Sequence, residues 1–141
     1  MAKPVTSLFR YSKFNKTRAS RFVANLEYNT RTSVVLKQVG WLSVKQLYVY
    51  HSLVLVWKII QSGEPLYLKE KFKRNFSYAT RQATSNCLSL SQTPRSVLSK
   101  KSFVHNSTTL WNSLPSELRN NRKLLSFKAK LKVWVIENHP L

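Results

Sequence analysis

Residues able to do acid, base or metal chemistry are few in this chain. None of its 141 residues is an aspartate, and its five carboxylates are widely separated glutamates, namely Glu27, Glu64, Glu70, Glu117 and Glu137. Catalysis by two metal ions requires carboxylates held close enough to share cations about 4 Å apart. The sequence supplies no recognisable set of this kind. We therefore expect no catalytic residues, no bound metal and no cofactor.

The histidines and the cysteine give no alternative chemistry. His51, His105 and His139 are too far apart along the chain to suggest the four convergent ligands of a structural zinc site. His51 follows Tyr50 with no Cys or carboxylate within a turn, so we predict a hydrogen-bonded core or boundary histidine and not a general base. Cys87 has no partner for a disulfide and is predicted to be inert.

Charge is the strongest compositional signal. The chain has 24 Lys and Arg residues against five acids, a formal net charge of +19. A charge of one sign this large indicates a polyanionic partner, with nucleic acid first and an anionic membrane second. The basic residues are spread along the whole chain, and no uncharged run, including the apolar run at residues 46–57, reaches the roughly 20 residues that span a bilayer. We therefore expect no membrane partner.

Basic residues alternate with aromatic ones in segments 9–22 and 69–81. The rings are Phe9, Tyr11, Phe14, Phe22, Phe72, Phe76 and Tyr78. Such a pattern can hold phosphates while rings stack on bases, which predicts binding of RNA or single-stranded DNA with little sequence preference. The predicted nucleic-acid-binding residues are Arg10, Lys13, Lys16, Arg18, Arg21, Lys71, Lys73, Arg74, Arg81, Lys128 and Lys132.

One stretch has the character of a signature: residues 110–119, LWNSLPSELR, followed by residues 126–132, SFKAKLK. It resembles the C-terminal region, beyond the thumb, of LINE-type (non-LTR) retrotransposon reverse transcriptases. The resemblance covers roughly residues 18–138 and includes five further pieces in matching order: LKQVGWLSV at 36–44, Tyr50-His51, GEPLYL at 63–68, YATR at 78–81 and Ser102-Phe103.

The resemblance implies a part in target-primed reverse transcription, in which the tail holds element RNA or target DNA near the polymerase. The chain lacks the aspartate pair of such polymerases and the zinc knuckle of some tails, so the expectation is a non-catalytic C-terminal fragment or remnant. Its partners would include the rest of the polymerase, and its location would be nuclear or cytoplasmic. Two alternatives stay open: a decayed reading frame, or a free-standing basic RNA-binding protein of ribosomal or mitochondrial type, with residues 1–25 as transit peptide.

The sequence predicts a mostly α-helical protein, with a basic N-terminal arm over residues 1–16 and one helical domain over residues 17–141. A first helix starts at Thr17 and ends at Asn29-Thr30. Ser33 is predicted to cap a short helix over residues 34–39 that ends at Gly40.

A capping box at residues 43–46 then opens a central helix over residues 44–61. Because this helix is apolar on nearly every face, we expect neighbours on most sides.

Further along, Pro65 is predicted to start a short helix that continues to Phe72. Residues 73–101 read as a polar loop with short strands possible at 87–90 and near 97–98. A helix over residues 103–111, one turn over 115–119 and a C-terminal helix over 124–137 complete the fold.

In the C-terminal helix an inward stripe is expected, with Lys128, Lys130 and Lys132 outside it. The stripe is Leu124, Phe127, Leu131 and Trp134. Trp111, flanked by leucines and a proline corner, is predicted to pack against Leu47, Leu55 or Ile59 of the central helix and not to stack on a base. Trp41, which follows Gly40, is expected to be a core residue like Trp111. The residues predicted to be structural are Trp41, Trp111, Pro115, Phe127 and Trp134.

Overall fold

A computed structural model describes residues 5–72, 86–89, 96 and 102–139. This part of the chain is mostly helical, as the sequence predicts, and contains no strand. The helices are α1 Val5–Val23, α2 Thr32–Val39, α3 Val44–Ser62, α4 Leu66–Lys69, α5 Phe103–Ser113, α6 Ser116–Arg119 and α7 Leu124–Asn138. The chain forms two compact units: unit 1 comprises Met1–Tyr48 and Ile136–Leu141, and unit 2 comprises Val49–Val135.

Helix α1 corrects the prediction of a loose arm over residues 1–16, because it begins at Val5 and not at Thr17. The stretch has no Gly or Pro, and Lys and Arg are good helix formers even without an apolar period. The helix ends at Val23 and not at residues 29–30. Asn25 adopts a left-handed φ of 50°, and the Leu26 N–H donates to the Arg21 carbonyl at 3.1 Å, as in a Schellman motif.

Helix α2 ends as its sequence predicts. Gly40 has φ 70°, and the Trp41 N–H donates to the Leu36 carbonyl at 2.9 Å. Because this closure requires a left-handed residue, the glycine is dictated by the backbone. The predicted cap is wrong: the helix starts at Thr32, one residue before Ser33, and its N-terminal end has no side-chain capping hydrogen bond.

The capping box that opens α3 is confirmed. The Ser43 N–H donates to Gln46 Oε1 at 2.8 Å, and the Gln46 N–H donates to Ser43 Oγ at 3.2 Å. Gln46 is buried, and its amide nitrogen also donates to the His139 carbonyl at 2.7 Å. One side chain therefore starts α3 and ties the C-terminal segment into unit 1.

In unit 2, α3 is buried along Leu53, Val56 and Ile59. Ser52, Val54 and Trp57 are buried as well, so this helix has neighbours on most sides, as expected, whereas Leu55 is 39% exposed. Within unit 1, Tyr48 at the start of α3 is also exposed.

Helix α4 is a single turn preceded by Pro65, and it stops at Lys69 instead of continuing to Phe72. Phe72 is buried, with its ring edge-on to Phe103 at a centroid distance of 6.3 Å. The Phe72 N–H still donates to the Leu68 carbonyl at 3.1 Å, so helical hydrogen bonding continues past α4 to this buried ring.

The remaining helices lie within two residues of their predicted bounds. On α7 the buried residues are Phe127, Leu131 and Val135, whereas Leu124 and Trp134 are half-buried. Residues 86–89 form no strand. The predicted strand near residues 97–98 and most of the polar loop lie outside the described residues.

We expect Ser43→Ala to lower the free energy of unfolding by about 1 kcal/mol, because it removes the acceptor for the Gln46 N–H. Ser33→Ala is the matched control, since Ser33 does not cap α2; its effect should be small. Urea denaturation followed by circular dichroism measures both. Equal losses for the two variants would contradict the assignment of the cap to Ser43.

Candidate nucleic-acid interface

Trp111, in the centre of the signature stretch, belongs to the core of unit 2. It is 1% exposed, and its ring lies 6.2 Å from that of Phe127 on α7, with an interplanar angle of 40°. Its indole Nε1 donates to the Asn86 carbonyl at 3.1 Å. A ring enclosed in this way cannot stack on a base unless the unit opens.

The polar residues of the same stretch hold the backbone around Trp111. The Asn112 side chain accepts from the Leu88 N–H and donates to the Leu88 carbonyl, both at 2.9 Å. It therefore pairs with the main chain of Leu88 as a neighbouring strand would. Arg119 Nη1 in turn donates to the Asn112 carbonyl at 2.8 Å. Asn112, Arg119 and the main chain of Leu88 thus form a hydrogen-bonded group. The sequence analysis did not predict these hydrogen bonds.

The apolar residues of the stretch complete this arrangement. Leu114 and Leu118 are buried, and Pro115 immediately precedes the single turn of α6. The described residues of this stretch therefore contribute hydrogen bonds and packing to unit 2. Their described contacts are internal.

Trp41 differs from Trp111, and the prediction that it packs as a core pin is wrong. Its side chain is 39% exposed, whereas the next residue, Leu42, is buried. The left-handed Gly40 turns the chain so that Leu42, and not Trp41, points into unit 1. Trp41 instead lines a groove of about 400 Å³ together with Ser33, Leu36, Lys37, Gly40, Gln46 and Ile136.

The predicted cations of unit 1 all lie on α1, which carries no acidic residue. Arg10, Lys13 and Arg18 are exposed, and their side chains make no ion pair with any other described residue. Lys16 is half-buried, and partial burial lowers the pKa of its ammonium. The helix therefore presents positive charge that the described part of the protein does not neutralise.

Arg21 has a different position from the other cations of α1. It is half-buried, its Nη2 donates to the Thr30 carbonyl at 3.0 Å, and its guanidinium carbon lies 5.3 Å from the centre of the Tyr28 ring. These contacts hold the turn that follows α1. They leave less of this side chain available to a ligand than the sequence suggested.

Three aromatic side chains of α1 face solvent. Tyr11 is 68%, Phe14 55% and Phe22 88% exposed. Among residues 10–23 of this helix, whose burial is described, the buried residue is Ser20, and its Oγ donates to the Thr17 carbonyl at 2.9 Å. Helix α1 packs on α2. Over residues 10–23 its buried side chain is small and polar, whereas its large rings are exposed.

The predicted cations of unit 2 are only partly described. Lys71 and Lys132 are exposed, and Lys128 is half-buried. Lys73, Arg74, Arg81, Phe76 and Tyr78 lie outside the described residues. Phe72, expected to contribute a ring for stacking, is buried against Phe103 instead.

The histidine and cysteine predictions have mixed outcomes. His51 is exposed on α3, with its ring edge-on to Tyr50 at 5.3 Å, so the expected core or boundary position is wrong. Cys87 is half-buried and forms no disulfide. Over the described ranges, no three His, Cys, Asp or Glu side chains are grouped to hold a metal, and no helix is long and apolar enough to cross a bilayer.

We expect Trp111→Ala to reduce the free energy of unfolding by about 3–5 kcal/mol, because it empties a buried ring site and leaves the Asn86 carbonyl without its donor. Trp41→Ala, at an exposed position, should cost much less. Thermal melts and urea titrations compare the two variants. A Trp111→Ala protein that melts like the parent but binds nucleic acid less tightly would make Trp111 a stacking residue.

Comparison with known proteins gave no match: no family model fits the chain, and no curated protein or solved structure is significantly similar.

Proposed function

We propose that this chain is a non-catalytic nucleic-acid-binding protein that resembles, and derives from, the region beyond the thumb of a LINE-type reverse transcriptase. In this role it would hold element RNA or target DNA during target-primed reverse transcription. Its partners would be RNA or single-stranded DNA together with the polymerase portion of the element. A nuclear or cytoplasmic location accords with this role.

The observation that carries the binding proposal is the uncompensated charge on α1. Arg10, Lys13 and Arg18 are exposed on a helix without acidic residues and have no ion-pair partner in the described part of the chain. Phosphates supply the missing counter-charge, and binding gains the entropy of the counterions that they release. The chain as a whole, at +19, strengthens the attraction.

The family proposal is supported by the signature stretch itself. Trp111, Asn112 and Arg119 form connected contacts around Leu88 in unit 2. Because the contacts of Trp111, Asn112 and Arg119 are connected, each residue supports the position of the next. A structural role of this kind accounts for their occurrence together at this spacing. The stretch is thus consistent with an inherited structural element, whereas nucleic-acid contact is assigned to other residues.

We expect binding to an unstructured single strand to weaken steeply with salt. If the protein neutralises about six phosphates, the slope of log K against log salt should be near −4, since each contact contributes about −0.7 for single strands. Fluorescence anisotropy with labelled oligo(dT) over a series of salt concentrations measures this slope. A slope near zero, or no binding at low salt, would discard the electrostatic proposal.

The α1 surface is tested by neutralising its exposed cations. The triple variant Arg10→Gln, Lys13→Gln, Arg18→Gln should make the slope shallower by about 2. The matched control, Lys37→Gln, Lys45→Gln, Lys58→Gln, removes the same charge from exposed positions on α2 and α3. If both triples change the slope equally, net charge and not α1 determines the binding.

We also expect the purified protein to have no polymerase or nuclease activity. The chain has no aspartate, and the described residues include no cluster of metal-binding side chains. Primer extension and plasmid nicking assays with Mg²⁺ or Mn²⁺ test this expectation. Activity that is lost when one of the five glutamates is mutated would refute it, because a contaminating enzyme would not respond to that substitution.

The family proposal has a test independent of binding. Genomic sequence upstream of the codon for Met1 should encode an aromatic-x-Asp-Asp polymerase motif in frame. A promoter and an untranslated leader at that position would favour the free-standing basic RNA-binding protein. Both alternatives predict binding of nucleic acid, so only the gene structure separates them.

A further inference from the structure

Over residues 10–23 of α1, the side chains of Tyr11, Phe14 and Phe22 lie on the side opposite to the buried Ser20. Tyr11, Phe14, Arg18 and Phe22 follow each other at spacings of three, four and four residues, which places them on one face of the helix. We call this surface the aromatic face. The buried Ser20 lies two residues from Arg18 and from Phe22, which places it across the helix.

This arrangement reverses the usual amphipathic pattern. A helix on a protein surface normally directs rings inward and small polar residues outward. Here Phe22 is 88% exposed and Ser20 is 0% exposed. Leaving three rings in water loses the burial free energy that each would contribute to the core. Three exposed rings aligned on one helix face form a contiguous apolar surface, and such surfaces are typical of binding sites.

We infer that the aromatic face is a stacking platform for unpaired bases, on which Tyr11, Phe14 and Phe22 contact base faces and Arg18 contacts a phosphate. The inference rests on the proposed function and specifies its ligand as single-stranded nucleic acid. The face extends about 16 Å along the helix, at 1.5 Å per residue, which is room for several nucleotides. Stacking on exposed rings is insensitive to base identity, because every base has a π-face.

Charge selects nucleic acid over an apolar partner. Arg18 lies between Phe14 and Phe22 on the aromatic face itself, and Arg10 and Lys13 lie on the same helix. A helix embedded in a membrane surface would separate its cations from its apolar side. Inserting this face into lipid or into a protein core would bury the Arg18 guanidinium, whereas a strand offers it a phosphate beside the bases.

The same geometry predicts preference for single strands over duplexes. In a duplex each base face is covered by its neighbours, so a protein must unstack bases before a ring can contact them. Phosphates are present in both forms. The cations should therefore attract either form, and the rings should distinguish between them.

The test replaces the rings without changing charge. The triple variant Tyr11→Leu, Phe14→Leu, Phe22→Leu keeps apolar bulk and helix propensity but removes the π-faces. We expect its affinity for oligo(dT) to fall at least about 20-fold, with an unchanged salt slope and unchanged affinity for a duplex of the same length. The ring-preserving triple Tyr11→Phe, Phe14→Tyr, Phe22→Tyr should bind oligo(dT) like the parent.

Three outcomes would overturn the stacking platform. They are an unchanged affinity of the leucine triple for oligo(dT), an equal loss for single strand and duplex, and binding of the parent to phosphatidylserine vesicles in preference to oligo(dT). If the leucine triple keeps both the affinity of the parent for oligo(dT) and its salt slope, the platform fails while the proposed function stands. If the parent binds no oligonucleotide at low salt, the proposed function itself fails.

The control variant is Tyr67→Leu, which removes an equally exposed ring from α4 and should leave binding unchanged.

Discussion

Unit 2 depends on one cluster of three aromatic rings. The ring of Phe127 is stacked on Trp57 at 5.7 Å and lies tilted against Trp111 at 6.2 Å, so side chains of α3, α5 and α7 meet in one cluster. Burying two indoles there requires an acceptor for each N–H. The acceptors are the main-chain carbonyls of Asn121 and Asn86, at 2.8 and 3.1 Å. The cluster thereby fixes the turn before α7 and the segment that leads into Leu88, in addition to the three helices.

The sequence predicts correctly the structural features that depend only on hydrogen bonds and backbone conformation within a few residues. The box between Ser43 and Gln46 closes over three residues, and its hydrogen bonds need no tertiary partner. Gly40 is predictable for the same reason, because only the local backbone demands a positive φ. Even here the rest of the fold decides part of the outcome. Gln46 also donates to the carbonyl of His139, 93 residues away, which no local pattern contains.

The errors arise where packing decides which side of an element is inside. Residues 5–16 show no inward apolar stripe, so they were predicted to be irregular, yet α1 is a helix whose packed side is the small Ser20. Trp41 was assigned to the core because tryptophan is usually buried, but the turn at Gly40 gives that place to Leu42. Both predictions assumed that the largest apolar side chains face inward. That assumption fails wherever a protein keeps such side chains for a partner.

This division between packing and exposed residues bears on what the family resemblance can explain. The residues that carry it, above all Trp111 and Asn112, are engaged in the internal contacts of unit 2. Because the contacts of these residues depend on one another, a resemblance in them indicates a shared local structure. It gives no direct information about a ligand.

The exposed cations and rings of α1 lie mostly before Arg18, where the resemblance begins. The ligand must therefore be argued from the chemistry of that face: positive charge without internal partners, and rings that the fold leaves in solvent. Those two properties together favour single-stranded nucleic acid, which presents phosphates and unstacked bases along the same chain.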